Sequence, residues 1–294
     1  MTEDVNPRFE GFDQWSTRNA VHAMYEGQLM AMAAIKPALD DITTAADMAA
    51  QRLGKYGRLV YVGAGTSGRI AVQDGAELGP TFGWPQDRVV FCMAGGLEAL
   101  TVSSEGAEDI LHDGANAMQN ENIGKHDVVL GVAASGRTPF TIGALKQSNA
   151  LGALTIGIAN NSNTPLLQEA DHAVLVETGS EIIAGSTRMK AGTTQKVVLN
   201  MLSTAIMARL GRVYKGLMVD MVVSNKKLEH RAVNMICDIA GCSKNIAQSA
   251  LGEANLDIKT AVLIALGESL QNSSYVLNQV GGNLRKALVL VKHV

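Results

Sequence analysis

Aromatic side chains are scarce in this sequence, at 4% of its 294 residues, and cysteine occurs only three times. So few aromatics speak against an aromatic-lined binding groove and for helices packed tightly on a sheet, since alanine, glycine and methionine are abundant. Cys92, Cys237 and Cys242 are odd in number and lack metal-ligand spacing. That excludes a disulfide framework and suits a reducing compartment. A net charge of −3 removes the electrostatic case for nucleic acid. No apolar run approaches the roughly 18 residues a membrane span needs. The opening MTEDVNPRFEGFDQW is acidic and has no apolar h-region, so no signal peptide is expected. Dinucleotide and P-loop fingerprints are missing too: the glycine-rich run at 63–69 lacks the third glycine spacing of one and the Lys-Ser/Thr pair of the other. The expectation is a cytoplasmic protein that uses no metal, cofactor, nucleic acid or membrane.

What is present is a core: 47% of the residues are hydrophobic, enough for one large domain with appendages. Residues 15–53 have helical spacing, with Trp15-Ser16-Thr17 as a start signal and apolar residues at Met24, Leu29, Met32, Ile35 and Leu39. Five short β-rich apolar runs follow, at 58–65, 88–95, 127–136, 154–160 and 172–179, each ending in a polar, glycine-bearing turn. Stretches of helical character separate them: RIAVQDGAEL, LEALTVSSEGAEDILHDGANAM and TPFTIGALKQSNAL. Strands alternating with helices predict an α/β fold with a parallel sheet covered on both faces. One long helix is predicted over 191–211, ended by Gly211, with Val198, Met201, Leu202, Ala205 and Ile206 on its buried side. Residues 241–269 read as a small helical unit, and no internal repeat is found.

In an open parallel sheet, ligands bind at the carboxyl ends of the strands. Three loops there combine small residues with Ser or Thr directly before a predicted helix: GAGTSGR (63–69), AASGRTP (133–139) and ETGSEIIAGSTRMKAGT (177–193). Free backbone N–H groups, hydroxyls and the positive helix end together make an anion cradle. Any one such loop is explained better by a helix N-cap, a common use of Ser and Thr. Three at one sheet edge point to a phosphate site with room for an organic body.

These loops resemble those of a sugar isomerase (SIS) domain, the phosphosugar-binding α/β fold. The longer strings GAGTSGRIAVQDGAELGPTFG, EGAEDI, AASGRTPF, GSTRMKAGTTQKVVLNMLST and GLMVDMVVSN are similar to the N-acetylmuramic acid 6-phosphate etherase family, from about Asn6 to near the C-terminus. The resemblance implies a three-layer sandwich around a central parallel sheet. It divides the chain into N-terminal helices at 1–53, a phosphosugar-binding domain at 54–222 and a small C-terminal helical, UBA-like domain at 223–294. One departure stands out. The family usually follows its first glutamate with Cys-Pro-Pro, whereas Glu77 precedes Leu78-Gly79-Pro80, a change expected to loosen the turn. Ala76 also stands where a serine is common.

The implied activity is cleavage of the D-lactyl ether of N-acetylmuramic acid 6-phosphate by elimination and hydration, giving N-acetylglucosamine 6-phosphate and D-lactate in amino-sugar recycling. By motif, Glu77 is the acid that protonates lactate and Glu108 the base at C2; by charge pattern alone, Glu105, Glu108 and Asp109 form a solvated face. Leu78 and Phe82 are candidates for raising the pKa of Glu77. Ser67, Ser135 and Thr138 fall on the phosphate, with Gly65 and Gly136 admitting close backbone approach and Thr66 beside them. Arg137 and Lys190 serve the phosphate or the lactate carboxylate, or are surface cations. Glu181 and Ser186 are candidates for sugar contacts. Glu98, Glu105 and the histidines His22, His112, His126, His172, His230 and His293 are read as structural or solvated.

A helix starting near Ser67 puts Glu77 about 15 Å further on, longer than the span from phosphorus to C3. Either the helix stops or bends at Gly75, or Glu77 serves a site shared with a second subunit, so a homodimer with composite sites is expected. Two rivals remain: a non-catalytic SIS sugar-phosphate sensor, and an aldose–ketose phosphosugar isomerase that needs no leaving-group acid. Carrying both Glu77 and Glu108 argues against the sensor.

Overall fold

A computed structural model describes residues 1–102, 104 and 106–291. Glu105 and His293 lie outside the described residues. In chain order the elements are α1 (Thr17–Ala33), α2 (Leu39–Leu53), β1 (Leu59–Gly63), α3 (Gly65–Ala76), α4 (Leu78–Phe82), β2 (Val89–Met93), α5 (Leu111–Asn120), β3 (Val128–Val132), α6 (Pro139–Ala150), β4 (Leu154–Ala159), α7 (Pro165–Glu169), β5 (His172–Leu175), α8 (Lys190–Arg209), α9 (Lys226–Ala240), α10 (Lys244–Glu253), α11 (Ile258–Ala265), α12 (Leu270–Gln279) and α13 (Leu284–Val291). Contacts divide the chain into two compact units, cutting across the three segments read from the sequence: 1–76 with 87–205, and 77–86 with 206–294.

The first unit holds a five-stranded, all-parallel sheet in the order β2-β1-β3-β4-β5. All five apolar runs are strands. Every residue of β1, β3 and β4 is buried, which is why they read as continuous apolar runs rather than alternating ones. One face, with Val60, Val62 and Val129, packs against Met118 of α5, Phe140 and Leu145 of α6 and Leu166 of α7. The other face carries Tyr61, whose hydroxyl donates to Asp74 of α3 at 2.9 Å. The expected layers of helix, sheet and helix are therefore present.

Residues 15–53 form two helices, as the helical spacing there allows. Ser16 caps α1 by accepting the N–H of Asn19, as its start signal predicts. A 3-10 turn at Lys36–Ala38 interrupts the run, because Pro37 lacks the N–H a continuous helix needs. The helical stretch before β3 is also shorter than its spacing suggests. Leu97–Leu100 and Ala107–Asp109 are 3-10 turns separated by Gly106 at φ 72°, and only Leu111–Asn120 is α-helical. On α8, Val198, Leu199 and Leu202 are fully buried; Met201 and Ala205 are half-buried.

A polar clamp fixes the start of the sheet. Asp127 accepts the backbone N–H of Arg58 at 2.9 Å, its Nη2 at 2.7 Å and the Gly124 N–H at 3.0 Å. Burial pushes the Asp127 carboxyl up, but these bonds more than offset it, leaving it below the usual carboxylate range. An acid held low in the folded state contributes stability above its unfolded pKa of about 4 and loses it as pH falls through the folded value. Asp127→Asn should therefore cost about 2–4 kcal/mol at pH 7, with the deficit shrinking steadily below about pH 4. Urea midpoints at both pH values check this.

The second unit is helical. Its core joins Val219, Ile236, Leu251, Ile258, Val262 and Leu284. Each of α9 to α12 opens on a capping side chain, namely Asn225, Ser243, Asp257 and Ser269. Short helices are thus started by local hydrogen bonds and held by one shared core. Among the described residues, no helix is long and apolar enough to cross a membrane.

Candidate active site

The first two predicted loops leave β1 and β3, neighbouring strands paired Gly63 to Val132. After β1 the chain turns straight into α3. A Cβ on Gly63 would lie 2.9 Å from Gly68 Cα, and one on Gly68 would lie 2.9 Å from the Gly63 carbonyl. Both glycines are thus needed for strand and helix to meet so closely. Gly65, at φ 51°, is exposed with open space where a Cβ would be; Thr66 is half-buried and Ser67 buried. The first N–H groups of α3 have no partner within their own helix, and they sit at its positive end.

A cavity of about 320 Å³ opens beside this turn, lined by Gly65, Arg69, Ala94, Ser104 and Glu108. Its size is at the lower end of the roughly 300–1,000 Å³ usual for small-molecule pockets. Glu108, the residue whose charge pattern suggested a solvated face, is exposed and lies on this wall. Arg69 went unnoticed in the sequence although it closes the GAGTSGR string. Its Nε donates to the Ala99 and Leu100 carbonyls at 3.1 Å each, tying the 97–100 turn to α3.

In the second loop, Ser135 accepts the Arg137 N–H at 3.1 Å. Gly136 adopts φ 63°, and a Cβ there would be 2.3 Å from Thr164 Oγ1, so only glycine fits. Thr138 occupies the N-cap of α6 without capping through its side chain, and Arg137 is exposed.

The third loop differs most from expectation. Glu181 is 1% exposed, and its two oxygens accept the N–H groups of Lys190 and Ala191 at 3.0 Å each. It caps α8, and the expected sugar contact gives way to that role. Lys190 is not a surface cation. It is buried and donates to the Thr178 carbonyl at 2.6 Å; burial lowers its pKa, with Glu181 opposing. Ser186 is half-buried. A Cβ on Gly192 would lie 3.3 Å from Ile70 Cδ1 and 3.4 Å from Thr66 Cγ2, which brings the first turn of α8 against that of α3.

The strings that carried the resemblance also have packing roles. Asp74, buried in α3, accepts from Tyr61, from Asn200 at 2.5 Å and from Ser203 at 3.2 Å, linking β1, α3 and α8. Burial raises its pKa, opposed by those three hydrogen bonds. α3 runs one residue past Gly75. A Cβ there would meet Phe91 Cε1 at 2.5 Å and Tyr61 Cε2 at 2.8 Å, so it serves close packing on the sheet.

Glu77 follows the last residue of α3 and is exposed, while Leu78 and Phe82 turn inward and are buried. Those two side chains therefore do not shield it. Nor is the turn after it loose: the Thr81 N–H reaches the Glu77 carbonyl at 3.2 Å, and Gly83, left-handed, closes α4 on the Gly79 carbonyl at 2.9 Å. Glu98 is exposed, and among the described residues no three His, Cys, Asp or Glu side chains cluster as for a metal.

Residues 108–205 match the SIS domain, and residues 41–149 match the glucokinase regulatory protein N-terminal SIS domain. Two solved phosphoheptose isomerases share the fold: that of Francisella tularensis (TM-score 0.51, 17% identity, 66% of this chain and 100% of that one) and that of Neisseria gonorrhoeae (TM-score 0.50, 18% identity, 66% and 100%). The N-acetylmuramic acid 6-phosphate etherase of Deinococcus radiodurans is 46% identical over 288 residues, covering 98% of this chain and 94% of that protein. The one from Erwinia tasmaniensis is 43% identical over 289 residues, with coverage of 98% and 94%. With identity this high along nearly the whole length of both chains, the protein belongs to the N-acetylmuramic acid 6-phosphate etherase family.

Proposed function

We propose that this protein cleaves the D-lactyl ether of N-acetylmuramic acid 6-phosphate, in the cytoplasm, to N-acetylglucosamine 6-phosphate and D-lactate. An alkyl ether resists direct displacement, so the sugar first opens to its C1 aldehyde, which acidifies the C2 proton. Glu108 takes that proton, the C2 electron pair forms a C2=C3 double bond, and the C3–oxygen bond breaks. Glu77 gives the departing lactate oxygen its proton. Water then adds at C3, and a proton returns to C2. Ser67, Ser135 and Thr138, with Thr66 and the backbone at Gly65 and Gly136, hold the phosphate. Arg137 adds positive charge, and Ser186 contacts the sugar. The observation that carries this reading is the cavity that Glu108 shares with Gly65 at the start of α3: a base and an anion-binding helix end on one wall.

Glu77 is proposed to act in the site of a second subunit. Its exposure in the single chain and the unbroken run of α3, about 18 Å by helix rise, support this. So does α1. It buries Ala23, Gly27 and Ala31 but leaves Val21, Tyr25, Leu29 and Met32 exposed on another stripe, an apolar face suited to a symmetric partner. In these terms segment 1–53 supplies dimer contacts, 54–222 the phosphosugar site and 223–294 the helical tail.

Turnover in doubly labelled water tests the proposal. D-Lactate should appear without ¹⁸O, and the sugar product should carry ²H at C2 and ¹⁸O at C3. Labelled lactate would mean displacement at the lactyl carbon instead. In the same preparation the active species should sediment as a dimer; a monodisperse monomer with full turnover rules out the shared site.

A further inference from the structure

Segment 77–86, which begins with Glu77, packs with the C-terminal helical unit. Within that unit Arg212 is half-buried, and its Nη1 donates to the carbonyls of Phe82 and Gly83, both at 2.8 Å. These oxygens close α4, a five-residue helix too short to hold its own shape. The guanidinium also lies 5.1 Å from the centre of the Trp84 ring. Gly83 sits so close to the Asp220 carbonyl that a Cβ would come within 2.4 Å of it, and the Val222 N–H reaches the Pro80 carbonyl at 3.3 Å. Asp220 in turn pairs with Lys259 Nζ at 2.5 Å, and Lys259 donates to the Gly282 carbonyl at 2.6 Å. A path of polar and close backbone contacts thus runs from the turn between α12 and α13, through Lys259 of α11 and Asp220, to the segment that begins with Glu77.

Building on the assignment of Glu77 as the acid, we propose that Arg212 is a positioning residue for that acid, so that the C-terminal helical unit is part of the catalytic apparatus. Arg212 touches no reacting atom. It fixes the backbone five and six residues beyond Glu77, and lysine cannot reproduce both its spread of contacts and its stacking on Trp84.

A substrate that needs no acid makes the test specific. An analogue with a halide at C3 expels a stable anion without a proton, so its elimination depends on Glu108 and not on Glu77. Arg212→Lys and Lys259→Met should lower kcat for lactate release about 10–100-fold, with KM changed less than about threefold and halide elimination nearly unaffected. Amides 78–84 should exchange faster with solvent in both variants, while those of β1 stay as they are. Equal losses on ether and halide, or unchanged exchange at 78–84, would overturn the proposal. If the wild-type protein releases no lactate, the assigned activity fails instead, and the exchange measurement still decides whether Arg212 holds this segment.

Discussion

Glu108→Gln should release lactate about a thousandfold more slowly than the wild-type protein, within the 10²–10⁴ range for loss of a positioned base, while phosphosugar affinity changes little. The change is isosteric, and Glu108 lies on the cavity wall rather than in the core, so folding should be unaffected. Glu77→Gln should depress lactate release by a similar factor, but for a different reason. The pair separates by isotope exchange. In ²H₂O, the product sugar should still acquire deuterium at C2 with Glu77→Gln and should fail to do so with Glu108→Gln. Calorimetric titration with N-acetylglucosamine 6-phosphate checks that binding survives. A sensor without turnover would show no loss in either variant, because there would be no lactate release to lose.

Gly114→Val should sharply destabilise the first unit. A Cβ on Gly114 would lie 1.9 Å from the Phe140 carbonyl, and one on Gly143 would lie 2.1 Å from the Leu111 carbonyl. α5 and α6 therefore touch backbone to backbone through a reciprocal glycine pair, and neither carbonyl can move without dragging its helix. Forcing them apart should cost about 3 kcal/mol or more, which lowers Tm by about 5 °C or more in a chain of this size. Activity should suffer as well. Leu111 follows Glu108 by three residues and Phe140 follows Thr138 by two, so separating the helices shifts the proposed base relative to the second of the proposed phosphate loops. Calorimetry and lactate release on the same sample test both parts. A variant within 1 kcal/mol of wild type would falsify the backbone-contact account.

Some of this was legible in residue order because its cause is local. Strands buried on both faces must be apolar throughout, so the five runs announced themselves. Ser16 announced a helix start because a cap needs only a side-chain oxygen and an N–H three residues away. The small residues and hydroxyls at three strand ends marked tight strand-to-helix turns for the same kind of reason. The misreadings came from groups whose partners are remote. Glu181 looked like a sugar ligand because the helix end it caps begins nine residues later. The close packing of Gly75 went unread because nothing nearby in the chain reveals the rings of Tyr61 and Phe91 above it. Arg212 carried no signal at all, since the carbonyls it holds lie 130 and 129 residues earlier.

By itself, then, the order of residues determined the parallel sheet and marked the three hydroxyl-bearing turns and the two glutamates proposed to act, through burial pattern, backbone freedom and motif. Tertiary structure alone decided which of the polar groups face the cavity and which are consumed as caps and clamps. That choice depends on where distant backbone N–H and carbonyl groups come to rest, and no periodicity along the chain encodes it.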